Sequence, residues 1–372
     1  MNWTYRQPVA IRFGNGALTS LYDEITALGG RRGLLVTSPS FVKRGLAERV
    51  RDMSHGLIGH VYGAVSPNPD VTECDECTEM LRRHGCDFVV AMGGGSVMDC
   101  AKAAAAFCTA DAPAAAYLGD GKPIPDAHLP LIAIPTTAGT GSEITSVAVL
   151  SDHARGIKAP LSADSMYPAV AIVDPELTYT VPPYVTACTG FDVLCHAIEA
   201  YWSRRHQPVC DALAVQAAGL VFEYLAAACE NPSDHTAREK MAEASVTAGL
   251  AFAQPKTTSA HACSYPLTNM LGIPHGEACA LTIDRLVRLN SSRGDIRTAR
   301  LAGRLGFTDA GALADAIADL RERVGLRSDL RDLAITDTQF EALVEGSKHP
   351  NLLNNPVEVT DDDLRMMYAA MR

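Results

Sequence analysis

Four side chains near the middle of the chain have the types and spacing of a divalent metal site. Asp192 and His196 lie four residues apart in a segment, 189–201, whose apolar positions repeat with helical period, so both project from one face. His261 and His275 follow, the second in a Gly/Pro-containing segment that predicts a loop or a helix start. Three imidazoles and one carboxylate suit Fe(II) or Zn(II) and leave a coordination position open for substrate. Such an ion is a Lewis acid, so the pattern predicts metal-assisted catalysis.

Each candidate ligand has an alternative interpretation as a residue with only a structural role. A histidine in an apolar helix, taken alone, is more often a hydrogen-bonded core residue than a ligand, and only the whole set favours a metal. Glu199 follows His196 by three residues and is either a carboxylate that supports a ligand or an exposed helix charge. We expect the exposed charge.

Composition limits the function classes. The chain has 372 residues, 47% of them hydrophobic, which predicts a large core and two domains. A formal net charge of -11 gives no general attraction for nucleic acid or anionic membranes, so we expect neither as a partner. The N-terminus lacks the apolar core of a secretory signal, and no uninterrupted apolar run reaches about 18 residues. We therefore expect a cytoplasmic protein that acts on a small molecule.

The cysteines predict a reducing compartment. There are eleven, an odd number scattered through helix-like segments, which is typical of buried thiols rather than of disulfides. Cys74 and Cys77 form the one Cys-x-x-Cys pattern, and no second pair completes a tetrahedral site. We interpret that pair as one face of a helix.

Short β-branched runs alternate with helical stretches in the first half of the chain, as in a parallel sheet with helices on both faces. The predicted strands are Gly33–Thr37, Leu57–Tyr62, Phe88–Met92, Leu131–Ile134 and Val170–Val173, and the predicted crossover helices are Val42–Met53, Val71–His84 and Ser96–Phe107. Beyond Thr178 the sequence becomes a succession of Ala- and Leu-rich helical segments. We therefore predict an α/β domain over residues 1–180 and a helical domain over residues 181–372.

A glycine-rich turn follows the predicted strand that ends at Met92. Gly94 and Gly95 would let backbone N–H groups approach a phosphate, and the next helix, which we expect Ser96 to cap, adds its unpaired donors and partial positive charge. A dinucleotide pyrophosphate fits that description. The alternative is a tight turn that binds nothing, since the pattern is neither Gly-x-Gly-x-x-Gly nor a P-loop.

A second turn of this kind follows the strand that ends at Ile134, and it offers the hydroxyls of Thr136, Thr137, Thr140 and Ser142. Two such turns at the carboxyl edge of one sheet favour nucleotide binding there. Each hydroxyl alone is equally explained as a turn-stabilising group. Lys158 either faces a phosphate or ribose or lies on the solvated surface.

Together these segments resemble the iron-containing, group III alcohol dehydrogenases over nearly the whole chain. The resemblance is carried by Gly93–Lys102, Pro135–Glu143, Asp174–Leu177, Asp192–Tyr201 and Pro274–Gly276. It implies a Rossmann-like NAD(P)-binding domain followed by an all-α domain, an architecture shared with dehydroquinate synthase. It also implies NAD(P)(H) bound along Gly93–Lys102, Asp99 included, and a divalent metal, Fe(II) before Zn(II), on Asp192, His196, His261 and His275. Homodimers are expected, and residues 354–356 belong to the family's C-terminal region.

Two positions depart from the family pattern. Many members have a second histidine four residues after the third metal ligand, where this chain has Tyr265, a candidate catalytic residue that either hydrogen-bonds substrate or only packs. Many NAD-specific members have an aspartate after the second strand, where this chain has Ser38. NADP(H) is therefore permitted beside NAD(H), with Lys43 and Arg44 as possible helpers.

Within the family, the segments 257–268 and 272–276 look most like phosphonoacetaldehyde reductases, which implies reduction of phosphonoacetaldehyde to 2-hydroxyethylphosphonate. Three alternatives stay open at this point. They are a dehydrogenase of another short-chain alcohol or of lactaldehyde, a sugar-phosphate cyclase resembling dehydroquinate synthase, and a metal- or nucleotide-binding module without catalysis.

Overall fold

The computed structural model describes residues 2–119 and 122–372, which divide into two compact units. The α/β unit comprises Arg6–Thr137 and Gly141–Thr178, and the helical unit comprises residues 2–5, Ala138–Thr140 and Tyr179–Arg372. Thr140, which the sequence grouped with the N-terminal turns, therefore lies in a short segment of the helical unit.

The α/β unit is built on a parallel sheet. Its strands are β1 (Ala10–Phe13), β2 (Gly33–Val36), β3 (Ile58–Tyr62), β4 (Phe88–Gly93), β5 (Leu131–Pro135) and β8 (Val170–Val173), in the order β1-β8-β5-β4-β2-β3 among the described residues. An antiparallel hairpin joins β6 (Val147–Asp152) to β7 (Ile157–Ser162), and the helices are α1 (Leu21–Ala27), α2 (Pro39–Lys43), α3 (Leu46–Met53), α4 (Val71–Arg83) and α5 (Gly95–Phe107). Strands β2, β4, β5 and β8 are buried throughout, as continuous apolar strands covered on both faces must be.

The helical unit packs around one buried helix. Its helices are α6 (Pro183–Trp202), α7 (Pro208–Glu230), α8 (His235–Phe252), α9 (Ser259–Leu271), α10 (His275–Ser292), α11 (Ile296–Arg304), α12 (Ala310–Arg323), α13 (Asp337–Gly346) and α14 (Asp361–Met371). Helix α6 is buried almost all round and packs against α7, α8, α9 and α10. An α/β unit followed by a helical unit confirms the predicted fold class.

Three local differences from the sequence-based expectation have physical causes. The predicted helix 42–53 is two helices, α2 and α3, because Gly45 between them adopts a left-handed φ of 72°. Helix α5 begins at Gly95 with Gly94 as its N-cap, so Ser96 lies in the first turn and does not cap it. Strand β1 was not predicted, since it is a short, largely exposed edge strand without a buried apolar run.

The structure also bears on the expected free thiols and on the expected absence of a membrane-spanning helix. All eleven cysteines are free thiols, and all but Cys108 are buried. Within the described residues one helix, α7, is long and apolar enough to cross a membrane by length and composition alone. Only 50% of its apolar window is buried, yet it packs against α6 and α8 as core helices do, and core helices pass the same test.

Candidate functional site

The four predicted metal ligands come together inside the helical unit. Helix α6 carries Asp192 and His196 one turn apart, α9 carries His261 in its first turn, and α10 begins at His275. The Nε2 atoms of His261, His275 and His196 lie 3.4, 3.7 and 3.8 Å from the same oxygen, Asp192 Oδ1. The three imidazoles thus converge on one carboxylate.

The spacing and the unpaired atoms fit a cation. Ligands held tetrahedrally at bonds of about 2.1 Å are roughly 3.4 Å apart, close to the observed separations. Asp192 Oδ1 and His261 Nε2 are buried and have no hydrogen-bond partner among the described residues. Buried polar atoms without partners are costly, and a divalent ion between them would satisfy both.

The pKa values of two of the four ligands, Asp192 and His196, also suit an ion. Burial alone would raise the pKa of Asp192, but the surrounding histidines outweigh burial and hold this pKa well below its usual value. Burial lowers the pKa of His196 to about 4. A carboxylate that stays ionised and an imidazole that stays neutral at pH 7 are the forms that bind metal.

Gly276 lets α10 reach the other ligands. A Cβ at this position would lie 1.9 Å from the backbone oxygen of Cys188 and 3.3 Å from Asp192 Cβ. The first turn of α10 therefore packs directly on the backbone of α6, and only a residue without a side chain permits that approach. This contact sets His275 beside Asp192.

Glu199 corrects the expectation of an exposed charge, because its side chain is fully buried. One carboxylate oxygen accepts a hydrogen bond from His261 Nδ1. The other accepts from Thr258 Oγ1 at 2.8 Å and from the Ala260 N–H at 2.6 Å. Because Nδ1 is bonded to Glu199, Nε2 is the nitrogen of His261 that faces Asp192 and that a metal ion would bind. The only hint in the sequence is that Glu199 lies one helical turn beyond His196.

Cys279 is a further donor that the sequence analysis did not identify. Its Sγ lies with the ligand atoms of Asp192, His261 and His275 in a set whose members are all within 4.8 Å of one another. His196 falls outside that mutual set, but we retain it as a ligand because its Nε2 faces Asp192 Oδ1. The signal for Cys279 was present in its spacing, four residues after His275 and so on the same helix face.

The site is open on one side. The side chain of His275 is 38% exposed, whereas those of Asp192, His196 and His261 are at most 6% exposed. A small molecule can therefore approach the candidate metal from the His275 side.

Tyr265 packs beside this centre, with no polar partner for its hydroxyl among the described residues. Its ring centroid lies 4.5 Å from that of His349, and its hydroxyl makes no hydrogen bond to the described part of the chain. Burial raises the pKa of Tyr265 to about 12, so the hydroxyl stays protonated near pH 7. It can donate a hydrogen bond, but its observed contact is packing.

In the α/β unit, both predicted phosphate turns lie at the carboxyl ends of adjacent strands. Strands β4 and β5 pair in parallel with Gly93 opposite Pro135, and a Cβ at Gly94 would lie 3.4 Å from Thr137 Oγ1. The buried Thr136 donates its N–H to the Gly93 carbonyl at 3.0 Å. The turns after β4 and β5 are thus brought side by side.

The strand order places this edge at a topological switch point. The chain leaves β2 toward β3 on one side, whereas β4 and β5 lie on the other side of β2. Ligands of open α/β sheets bind where successive loops diverge in this way. Ser38 lies at the same edge, just after β2, and its hydroxyl is 2.9 Å from that of Ser40.

Protein contacts hold three other predicted cofactor residues, Asp99, Ser142 and Lys158. Asp99 accepts hydrogen bonds from Ser142 Oγ at 2.7 Å and from the Val149 N–H at 2.9 Å. Lys102, fully buried, donates to Ser142 Oγ at 2.7 Å. Lys158 donates to Asn68 Oδ1 at 2.9 Å. The bond to Val149 fixes the β6–β7 hairpin to α5, and Ser142 has the turn-stabilising role that the sequence left open. The bond of Lys158 connects β7 to Asn68, in the segment before α4.

Comparisons with known proteins agree with this geometry. A family model described as iron-containing alcohol dehydrogenase matches residues 8–175, and one described as the C-terminal part of the Fe-containing alcohol dehydrogenase family matches residues 186–371. Alcohol dehydrogenase 4 of Schizosaccharomyces pombe is 36% identical over 96% of this chain and 86% of its own length. The 1,3-propanediol dehydrogenase of Citrobacter freundii is 33% identical over 98% of this chain and 97% of its own length.

One solved structure is considerably more similar to this chain than those two relatives are. The sulfoacetaldehyde reductase of Bifidobacterium kashiwanohense, crystallised in complex with NAD+, is 55% identical and superimposes with a TM-score of 0.97. The match covers 100% of this chain and 99% of that one.

Proposed function

Because the chain belongs to the iron-containing alcohol dehydrogenase family, we propose that it is a metal-dependent reductase of a short aldehyde bearing a tetrahedral oxyanion, a sulfonate or a phosphonate. As a family member the protein is an oxidoreductase that acts on CH–OH groups. The observation that carries the narrower proposal is the 55% identity, over the whole chain, to a sulfoacetaldehyde reductase. The sequence segments 257–268 and 272–276 favour the related phosphonate, and both substrates share a two-carbon aldehyde and an anionic group.

The chemistry divides between bound groups and side chains. A divalent ion at the four ligands would polarise a carbonyl, and NAD(P)H at the turns after β4 and β5 would supply hydride. Asp192, His196, His261 and His275 are the residues proposed to hold the ion. Glu199 fixes the tautomer of His261, and the exposed side of His275 leaves a path for the aldehyde.

We assign Fe(II) as the first candidate metal and Zn(II) as the second, because both accept nitrogen and oxygen ligands and the family is defined by iron. Asp192 Oδ1 and the three Nε2 atoms are all of that type. For the nucleotide, the similar reductase was crystallised with NAD+, whereas Ser38 lacks the carboxylate that would repel a 2′-phosphate. Both NADH and NADPH therefore belong in the assay.

We also propose a cytoplasmic homodimer. The free, mostly buried thiols suit a reducing compartment. Strand β1 is an exposed sheet edge that a second copy of the chain can cover. Light scattering of the purified protein at two concentrations would test the dimer.

The decisive experiment is a substrate panel on metal-loaded protein. Sulfoacetaldehyde, phosphonoacetaldehyde, acetaldehyde, propanal and lactaldehyde are each assayed with NADH and with NADPH, after loading with Fe(II) or Zn(II) under anaerobic conditions. We expect kcat/KM to be highest for one of the two anionic aldehydes and turnover to stop after chelation. Higher kcat/KM for every neutral aldehyde would refute the proposed substrate class.

The same assay distinguishes a reductase from a sugar-phosphate cyclase. A reductase consumes one NAD(P)H for each alcohol formed, whereas a sugar-phosphate cyclase recycles its nucleotide. Stoichiometric loss of NAD(P)H, measured against product, would exclude the cyclase and the non-catalytic module together.

A further inference from the structure

The segment between α8 and α9 carries a half-buried cation that has no partner in the described part of the chain. Lys256 has a left-handed φ of 65°, a conformation that non-glycine residues rarely adopt. Its ammonium group makes no hydrogen bond or ion pair with any residue in the ranges 2–119 and 122–372. A charged group in partial burial without a counter-charge is unfavourable unless it serves a ligand.

A second unpaired cation adjoins it. The Arg205 N–H donates to Ser203 Oγ, which is itself hydrogen-bonded to the Pro255 carbonyl beside Lys256. After burial, the charge of Arg205 is the next cause that lowers the pKa of Lys256. The Arg205 guanidinium is exposed and is also unpaired within the described part of the chain. Two adjacent cations repel one another, so this arrangement favours binding of an anion.

The backbone around Lys256 is held rigidly. Asn354 Nδ2 donates to the carbonyl of Pro255 at 2.8 Å and to that of Thr257 at 3.1 Å, on either side of the lysine. Ser203 Oγ lies 2.9 Å from the Pro255 carbonyl oxygen and 3.0 Å from Asn354 Oδ1, and its one proton is shared between these two acceptors. A strained conformation persists where its surroundings impose it, and such strain is concentrated at functional sites.

The segment borders the candidate metal centre at both ends. Phe252, at the end of α8, stacks on His196 with ring centroids 4.1 Å apart. Thr258 binds Glu199, which in turn holds His261. Lys256 lies between these two contacts and its own N–H bonds the Phe252 carbonyl at 2.8 Å.

From these observations we infer that Lys256, assisted by Arg205, is the specificity-determining cation that binds the sulfonate or phosphonate of the aldehyde. The inference rests on the proposed function, since it assigns the anion of that substrate to this segment. The primary ammonium of Lys256 offers three donors to an oxyanion. Arg205 adds charge but is exposed and therefore more strongly screened.

The test measures a ratio, kcat/KM for sulfoacetaldehyde divided by kcat/KM for propanal. Lys256→Met keeps the apolar stem, and Lys256→Gly suits the left-handed backbone, so at least one variant should fold. A charge-assisted hydrogen bond predicts that the ratio falls about 10–100-fold in both variants and less in Arg205→Gln. Lys240→Gln, at a partly exposed lysine paired with Glu243, is the matched control and should keep the wild-type ratio.

A second measurement distinguishes failure of this inference from failure of the proposed function. Ethanesulfonate should inhibit propanal reduction and raise the Tm of the wild-type holoenzyme, and both effects should be lost in Lys256→Met. If anionic aldehydes are poor substrates but ethanesulfonate binding still depends on Lys256, the anion site stands and the proposed substrate is wrong. If the ratio and ethanesulfonate binding are unchanged in both Lys256 variants, the inference is overturned.

Discussion

Glu199→Gln should weaken metal binding without removing any ligand. In the wild type both carboxylate oxygens accept hydrogen bonds, one from His261 Nδ1 and the other from Thr258 Oγ1 and the Ala260 N–H. A glutamine has one acceptor oxygen and one NH2 group, so either orientation sets an NH2 group against a donor. In one orientation His261 loses the acceptor that fixes its tautomer. In the other, the Ala260 N–H loses its acceptor, which disturbs the first turn of α9 that carries His261.

The size of the effect follows from the bond that is lost. Hydrogen bonds to charged groups contribute about 1.5–3 kcal/mol. Because about 1.4 kcal/mol corresponds to a factor of ten in affinity, the Zn(II) dissociation constant should rise roughly 10–100-fold. Competition with a chromogenic chelator measures this constant directly and does not depend on catalysis.

The control is a second buried carboxylate in the same unit. Glu277 accepts from Tyr184 OH at 2.6 Å and from the Arg327 N–H at 2.9 Å, not from a candidate ligand. Glu277→Gln should therefore cost stability but leave Zn(II) affinity near the wild-type value. Equal Zn(II) affinity in wild type and folded Glu199→Gln, or equal losses in both variants, would show that Glu199 does not support His261 as argued.

Two further predictions concern stability. In urea unfolding, Gly276→Ala should lower the free energy of unfolding by about 3 kcal/mol, because the new Cβ meets the Cys188 carbonyl, and it should also reduce metal content. The control, Gly219→Ala, has open space around the new Cβ and should be neutral or stabilising. A substantial loss in Gly219→Ala but not in Gly276→Ala would contradict this packing. Burial raises the pKa of Glu143 from 4.5 to about 7. Between these two pH values the folded state retains a proton that the unfolded state releases. The stability of the wild type should therefore fall as pH rises from 4.5 to about 7. Glu143→Gln should accordingly gain up to about 3 kcal/mol relative to wild type at pH 8 but little at pH 4.5, and an equal gain at both pH values would refute the assigned cause.

The sequence was sufficient where residue type and periodicity decide the structure. Buried strands such as β4 and β8 are continuous apolar runs, and their bounds agree with the prediction within one residue. Asp192 and His196 were recognisable because their spacing fixes them on one helix face. Tertiary contacts decide the remaining features. Whether Glu199 faces solvent or His261 depends on where α9 packs, and no local pattern encodes that position.

Substrate choice can vary within the family although the metal ligands are held in place. The four candidate ligands are fixed by helix packing, and Gly276 against Cys188 leaves no room for change without displacing His275. The relatives named above nevertheless act on different alcohols and aldehydes, as their names state. We therefore expect differences in substrate to arise outside the ligand set. The segment between α8 and α9 is suited to that role, because Asn354 fixes its backbone through carbonyl groups that every amino acid has. A side chain at position 256 can then change while the metal centre and its hydrogen bonds are preserved.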